Sequence, residues 1–187
     1  MYIKFKKMEN SENEIDMKLN LIELLKKNNV VKKGNFTLKS GKQSSYYVDF
    51  RHLISKPEVF YMLNVFLADL LPESKDNYYI CGLPYAGIPY CSAISIMKMI
   101  PMIMLRKEQK KYGTKKMIEG DIKPGSEIIL IDDILTTGTS IFESLGYLNE
   151  YKIKKIIVIL DRQEGGKERL EEYGLEVQSL FTITDFI

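Results

Sequence analysis

Tryptophan is absent from the 187 residues, histidine occurs once and cysteine twice. The single histidine, His52, excludes any site built on a histidine cluster and leaves a nucleophile–histidine scheme only that one ring as its base. Cys81 and Cys91 stand in apolar surroundings, which predicts two reduced core thiols rather than a disulfide or a metal pair, and fits a cytoplasmic compartment. No apolar run reaches the roughly 18 residues of a membrane span, and Met1 to Lys7 has lysines without the apolar centre of a signal peptide. Arginine is scarce: Arg51, Arg106, Arg162 and Arg169 are four among 27 basic residues. With 25 acidic residues the net charge is +2, which gives no electrostatic ground for binding nucleic acid or a membrane surface. Any bound anion has to be held locally, by lysines, arginines and backbone amides.

What is present suits one soluble domain over residues 1–187, since 45% of the chain is hydrophobic and 28% charged. After a polar tail over about 1–11, Ile15, Leu19, Ile22 and Leu25 recur at helical spacing and predict an amphipathic helix over Glu12 to Lys27. Phe36 to Phe50 alternates around Gly41 like a short hairpin, and Pro57 opens a helix reaching about Leu71. Helix and hairpin together make up an N-terminal segment over about 12–57. Strand and helix patterns then alternate: Tyr79 to Gly82, Ala86 to Met99, Met102 to Arg106, Glu127 to Ile131, Thr139 to Glu150, Lys155 to Leu160, Lys167 to Tyr173 and Leu175 to Phe181. This is an α/β pattern, a mainly parallel central sheet flanked by helices, with ligands expected beyond the carboxyl ends of its strands. Lys107 to Gly125 interrupts the rhythm as a charged, glycine-bearing interval and is expected to be a mobile loop.

The most informative segment is the thirteen residues Ile128 to Ser140, where a buried-type strand leads into Asp132 and Asp133 and then Ile134, Leu135, Thr136, Thr137, Gly138, Thr139 and Ser140. Amides and hydroxyls converging on a tight glycine turn at a helix start suit a phosphate. The lysine and spacing of a P-loop are missing, so the usual nucleoside triphosphate reading fails. Adjacent carboxylates cost energy unless cations or hydroxyls compensate them, and sugar hydroxyls and Mg²⁺ would do so.

At these residues the chain resembles the phosphoribosyl diphosphate motif of the type I phosphoribosyltransferases. Three further segments resemble the orotate phosphoribosyltransferases among them: Phe36 to Arg51, Arg106 to Thr114, and Leu160 to Glu164, with Gly82 to Pro89 in the right order between. The resemblance, which also extends to the corresponding domain of eukaryotic UMP synthase, implies the type I fold with a small N-terminal hood. It implies transfer of a ribose 5-phosphate unit from phosphoribosyl diphosphate to orotate, for pyrimidine (UMP) biosynthesis. It places Asp132 and Asp133 on the ribose hydroxyls, with Mg²⁺ carried by the substrate and held through water rather than by direct protein ligands. Thr136 to Ser140 would hold the 5-phosphate, with Ile134 and Leu135 beside it, and Tyr85, Ala86, Arg106, Lys107, Lys110 and Tyr112 would line the diphosphate. Lys107 and Lys110 are the implied catalytic cations of the loop. Orotate would meet Arg162, Thr136, the Tyr47 and Val48 backbone, and Lys39, the last shared with the diphosphate. The resemblance further implies a homodimer with shared sites and a separate orotidylate decarboxylase in the same cell, a candidate partner.

Two positions depart from the family pattern: Tyr112 stands where many bacterial members have histidine, and Ala86 where many have lysine. Two alternatives share the phosphate motif, a phosphoribosyltransferase for another base and a non-catalytic phosphoribosyl diphosphate sensor. Arg162 argues against other bases, because uracil and purines lack a carboxylate to fill its fork. The cationic loop, six basic residues from Arg106 to Lys116, argues against a sensor.

Overall fold

Alternation of buried apolar runs with helices organises the chain as the patterning requires. The computed structural model describes residues 11–37, 41, 43–73, 78–108 and 116–187, divided into two compact units that meet in sequence at Asp49 and Phe50. The first unit contains helix α1 (Ser11–Lys27) and an antiparallel hairpin of β1 (Val31–Thr37) and β2 (Gln43–Val48), paired from Val31↔Val48 to Thr37↔Gln43. The hairpin therefore starts five residues before Phe36, where alternation alone placed it. Helix α1 buries Leu21, Ile22 and Leu25, whereas Ile15 and Leu19, expected on the same apolar face, are 61% and 55% exposed. The first turns of the helix thus leave their apolar residues to solvent, and the buried stripe begins only at Leu21.

The second unit starts with a 3₁₀ turn (Arg51–Ser55) and helix α2 (Pro57–Asp69), whose first position is a proline that lacks an N–H the helix would leave unused. It continues through β3 (Tyr78–Gly82), α3 (Gly87–Lys98), β4 (Met102–Leu105), β5 (Ile118–Glu119), β6 (Glu127–Leu135), α4 (Thr139–Leu145), β7 (Lys152–Asp161), α5 (Gly166–Glu172) and β8 (Val177–Thr182). The strands form one sheet in the order β5-β4-β3-β6-β7-β8, all parallel except the edge pair β4–β5. Ile128 to Ile131 on β6 and Ile156 to Leu160 on β7 have no exposed surface. Such unbroken apolar runs identify central parallel strands covered on both faces. On one face Ile128, Leu130, Ile156 and Val158 pack with Ile141 of α4 and Leu170 of α5. Strand alternation turns Ile129 and Ile131 to the other face, and α3 packs on β3 and β6.

Three differences from the patterning have local causes. Strand β6 continues four residues beyond Ile131, because pairing with β7 persists to Leu135↔Asp161, so the two aspartates lie on the strand rather than after it. Helix α4 ends at Leu145, where Gly146 follows, instead of reaching Glu150. The interval 107–125 is not wholly irregular: Ile118 and Glu119 pair with Leu105 and Met104, and the Arg106 amide bonds the Met117 carbonyl at 2.8 Å. Cys81 and Cys91 are free and fully buried, as expected of core thiols, and burial pushes the Cys81 thiol up to about 12.

The loop after β3 is held against β6 with no room to spare. A methyl group on Gly87 would stand 2.2 Å from the Ile131 carbonyl oxygen, and one on Gly82 would stand 2.6 Å from the Gly87 oxygen. The neighbouring atoms are backbone and cannot swing aside. Gly87→Ala is expected to cost about 2 kcal/mol or more in urea unfolding. Gly146→Ala, at φ −60° with its nearest neighbour at 3.5 Å, is expected to change stability by less than about 0.5 kcal/mol.

Candidate active site

Strand order fixes where a ligand can sit. In the sequence of strands β4-β3-β6-β7-β8, the chain turns one way from β3 to β4 and the other way from β6 to β8, so the crevice between the carboxyl ends of β3 and β6 is the topological switch point. The Leu83–Ala86 turn leaves β3 on one side of it, tied to β6 by a 2.9 Å bond from the Leu83 amide to the Ile131 carbonyl. On the other side Asp132 to Ser140 leave β6.

A small concavity opens at the carboxyl end of β6, lined by Asp132 and by every residue from Ile134 to Ile141 except Thr137. Gly138, at φ 77°, makes the left-handed corner before α4, a conformation open to glycine at little cost. Thr136 and Thr137 are half-buried, while Thr139 and Ser140 are exposed, and the Thr137 and Thr139 hydroxyls share a 3.0 Å hydrogen bond. Hydroxyls and amides around one small polar concavity form an anion seat.

The acidic pair borders this seat. Asp132 Oδ1 accepts the Asp133 amide at 2.9 Å, and Asp133 Oδ1 accepts the Ile134 amide at 2.8 Å, so each carboxylate is oriented by the next peptide group. Loss of solvation, followed by the adjacent Asp133 charge, holds the Asp132 carboxyl well above the usual carboxylate range despite that amide. Both side chains are partly exposed, which leaves them open to hydroxyls or a cation. Two carboxylates do not enclose a metal: among the described residues no cluster of three acidic, histidine or cysteine side chains could hold one. The donor set suits Mg²⁺ that keeps its waters and draws other ligands from a substrate.

Pairing of β6 with β7 places Arg162 next to the anion seat. Leu135 is opposite Asp161, and the Arg162 amide bonds the Leu135 carbonyl at 2.9 Å. The buried Asp161 carboxylate accepts the Gln163 amide at 2.8 Å, fixing the turn, and Gln163 is left-handed at φ 56°. The Arg162 side chain is 7% exposed and pairs through Nη2 with Glu164 at 2.9 Å. An arginine this buried has a fixed fork, well suited to a planar carboxylate.

Of the diphosphate residues expected from sequence, Tyr85 is 68% exposed at the β3 turn, and Lys107 Nζ lies 5.3 Å from its ring centroid, which brings the start of the loop to the crevice. Ala86 precedes α3. Arg106 Nη1 is paired with Glu119 at 2.9 Å, bracing the two ends of the loop, a contact the sequence reading did not foresee. Tyr47 and Val48 lie on β2 in the first unit, with Val48 buried. Lys39, Lys110 and Tyr112 fall outside the described residues.

Known proteins share the sequence and fold of this chain. No protein-family model matches the chain. An orotate phosphoribosyltransferase of Methanosphaera stadtmanae is 38% identical over 173 residues, 91% of this chain and 97% of its own. The crystal structure of orotate phosphoribosyltransferase from Aeropyrum pernix superposes with a TM-score of 0.78 at 31% identity, covering 89% of this chain and 95% of that one. Leishmania donovani UMP synthase gives a TM-score of 0.81 at 33% identity over 93% of this chain; the chain spans 39% of that longer protein.

The raised Asp132 carboxyl carries a sign that can be measured. Its folded value lies above its unfolded one, so its contribution to stability is full below the ordinary carboxylate range and is lost as pH rises through the folded value. Asp132→Asn is therefore expected to raise the melting temperature of the ligand-free protein near pH 7, by about 2–4 °C, with the gain vanishing near pH 4.

Proposed function

The chain belongs to the orotate phosphoribosyltransferase family, and from that premise we propose how its own residues divide the work of forming orotidine 5′-monophosphate and diphosphate in UMP biosynthesis. The observation that carries the assignment is the adjacency of a buried arginine fork to an anion seat bordered by two carboxylates. In one reaction three anionic groups need places: a 5-phosphate, a diphosphate and the carboxylate of orotate.

Thr136 to Ser140 take the 5-phosphate through amides and hydroxyls, with Ile134 and Leu135 closing the floor. Asp132 and Asp133 hold the ribose hydroxyls, and binding gives their charges the compensation that the ligand-free protein supplies through two amides. Asp132 and Asp133 would hold Mg²⁺ through its waters, and the ion would supply positive charge against the diphosphate. Arg162 orients the orotate carboxylate, with Thr136 beside it. By family resemblance Lys39 and the Tyr47 and Val48 backbone also touch the base.

The chemistry is displacement at the anomeric carbon with inversion. The bond to the diphosphate oxygen breaks with its electron pair leaving on diphosphate, the orotate ring nitrogen donates the pair for the new bond, and the proton that this nitrogen sheds is taken up by the departing diphosphate. No protein nucleophile is required. Lys107 and Lys110 are the catalytic cations that neutralise the departing charge, Arg106 adds the nitrogens that Glu119 does not take, and Tyr85, Ala86 and Tyr112 complete the wall. A phenol at Tyr112 donates a hydrogen bond where a histidine would donate a proton, so the neutralising role falls more heavily on the lysines. Loop closure excludes water that would capture the electron-poor ribose.

The enzyme works as a homodimer with shared sites, in the cytosol, beside a separate orotidylate decarboxylase. No described helix is long and apolar enough to cross a membrane.

Loss of orotate absorbance with phosphoribosyl diphosphate and Mg²⁺ tests the assignment, with uracil and hypoxanthine in parallel. Turnover of orotate alone is expected; turnover of another base, or of none, would overturn it. Lys110→Ala should lower kcat on the order of 100-fold, as removal of a group stabilising developing charge does. Arg162→Lys should raise the orotate KM about tenfold, because an ammonium cannot reproduce the planar fork. Light scattering of the active enzyme should give twice the 21.7 kDa chain mass.

A further inference from the structure

Of the residues from Ile134 to Ile141, Thr137 alone does not line the cavity, and its carbonyl is engaged from outside. Arg169 Nη1 donates to the Thr137 carbonyl oxygen at 2.6 Å. The same guanidinium carbon stands 5.2 Å from the Phe142 ring centroid, and that ring meets Tyr173 edge-on at 5.5 Å. Arg169 and the Tyr173 cap belong to α5, and Phe142 to α4, so one side chain spans the helix after the anion seat, the seat's own loop and the helix after the Arg162 turn. The two segments touch through backbone as well: a methyl group on Gly166 would stand 2.3 Å from the Thr136 oxygen and 2.9 Å from the Gly138 nitrogen.

A loop that presents amides and hydroxyls to an anion works only while its peptide groups keep their orientation. The Thr137–Gly138 peptide is the one most free to turn, because Gly138 carries no Cβ and is already left-handed at φ 77°. Rotation of that peptide would carry a carbonyl dipole toward the seat and repel a phosphate. A charge-assisted hydrogen bond to its oxygen opposes the rotation, and the aromatic shelf limits the rotamers of the arginine that makes it.

We propose that Arg169 is a positioning residue for the 5-phosphate, locking the Thr137–Gly138 peptide from behind the loop, without touching the substrate. The proposal rests on the phosphoribosyl transfer described above and deepens it. It assigns a role in affinity for the phosphate end, separate from the loop lysines and from Arg162.

The test compares Arg169→Ala and Arg169→Lys with the parent enzyme, using steady-state kinetics and calorimetric binding of ribose 5-phosphate. For Arg169→Ala the phosphoribosyl diphosphate KM and the ribose 5-phosphate Kd are expected to rise together by about five- to tenfold, with kcat within about twofold and the orotate KM unchanged. Arg169→Lys should recover most of the loss. The effect should persist at about 0.5 M salt, which would screen a remote charge. Unchanged phosphate affinity in the alanine variant, an effect abolished by salt, or a fall in kcat with both KM values unchanged would each overturn the proposal. Should the alanine variant not fold, Arg169→Gln keeps the side-chain stem and is measured in its place under the same criteria. Ribose 5-phosphate binding separates this inference from the activity: weakened binding in the variant, with no orotate turnover by the parent, would retain the lock and reject the base assignment.

Discussion

Placing two carboxylates side by side on the central strand of a parallel sheet is the constraint around which the second unit is organised. Asp132 and Asp133 repel each other, and Asp132 is poorly solvated as well. A strand devoted to packing would put apolar residues there, as β7 does with Val158 and Ile159 opposite them. The fold tolerates the charges because Ile128 to Ile131, fully buried just before them, anchor β6 between β3 and β7. Each burial of such a side chain is worth about 1.5–3 kcal/mol, enough together to hold one unfavourable pair in place. Under the proposed function, a sugar with its cation would relieve this unfavourable electrostatic arrangement at the carboxyl end of a rigid strand.

The neighbouring elements follow from close backbone contact. Gly82 and Gly87 let the β3 turn lie on β6, and Gly166 lets the Arg162 turn lie on the Thr136–Gly138 loop. Three segments from different parts of the chain thereby approach one another with little slack between them. Under the proposed function, substrate groups held by one segment would be positioned relative to the others within the tolerance of packed backbone, which is the accuracy that displacement at a single carbon demands.

Much of this was legible in the sequence because the signals are local. The run of Ile and Leu before Asp132, the glycine turn at Gly138 and the arginine after the β7 strand are each contained in a few residues and can be read without knowing what lies across from them. What was not legible depends on pairing between distant segments. Alternation cannot say that β6 extends to Leu135, since that extension is set by β7. Nor can it show that Ile118 and Glu119 complete an edge strand, or that Glu119 holds Arg106. Ile15 and Leu19 fit the helical period as well as Ile22 does, yet they stay exposed, because period identifies a face and not what covers it. Arg169 gave no sequence signal, lying in a charged helix like many others; its partner is a carbonyl thirty-two residues earlier.

The central claim is that one crevice, at the carboxyl ends of β3 and β6, holds all parts of the product. A crystal structure of the protein with orotidine 5′-monophosphate tests it most directly. The account predicts the phosphate within hydrogen-bond distance of Thr136 to Ser140, the ribose hydroxyls on Asp132 and Asp133, and the orotate carboxylate on Arg162. A nucleotide seated with its phosphate elsewhere, or with its carboxylate away from Arg162, would contradict it.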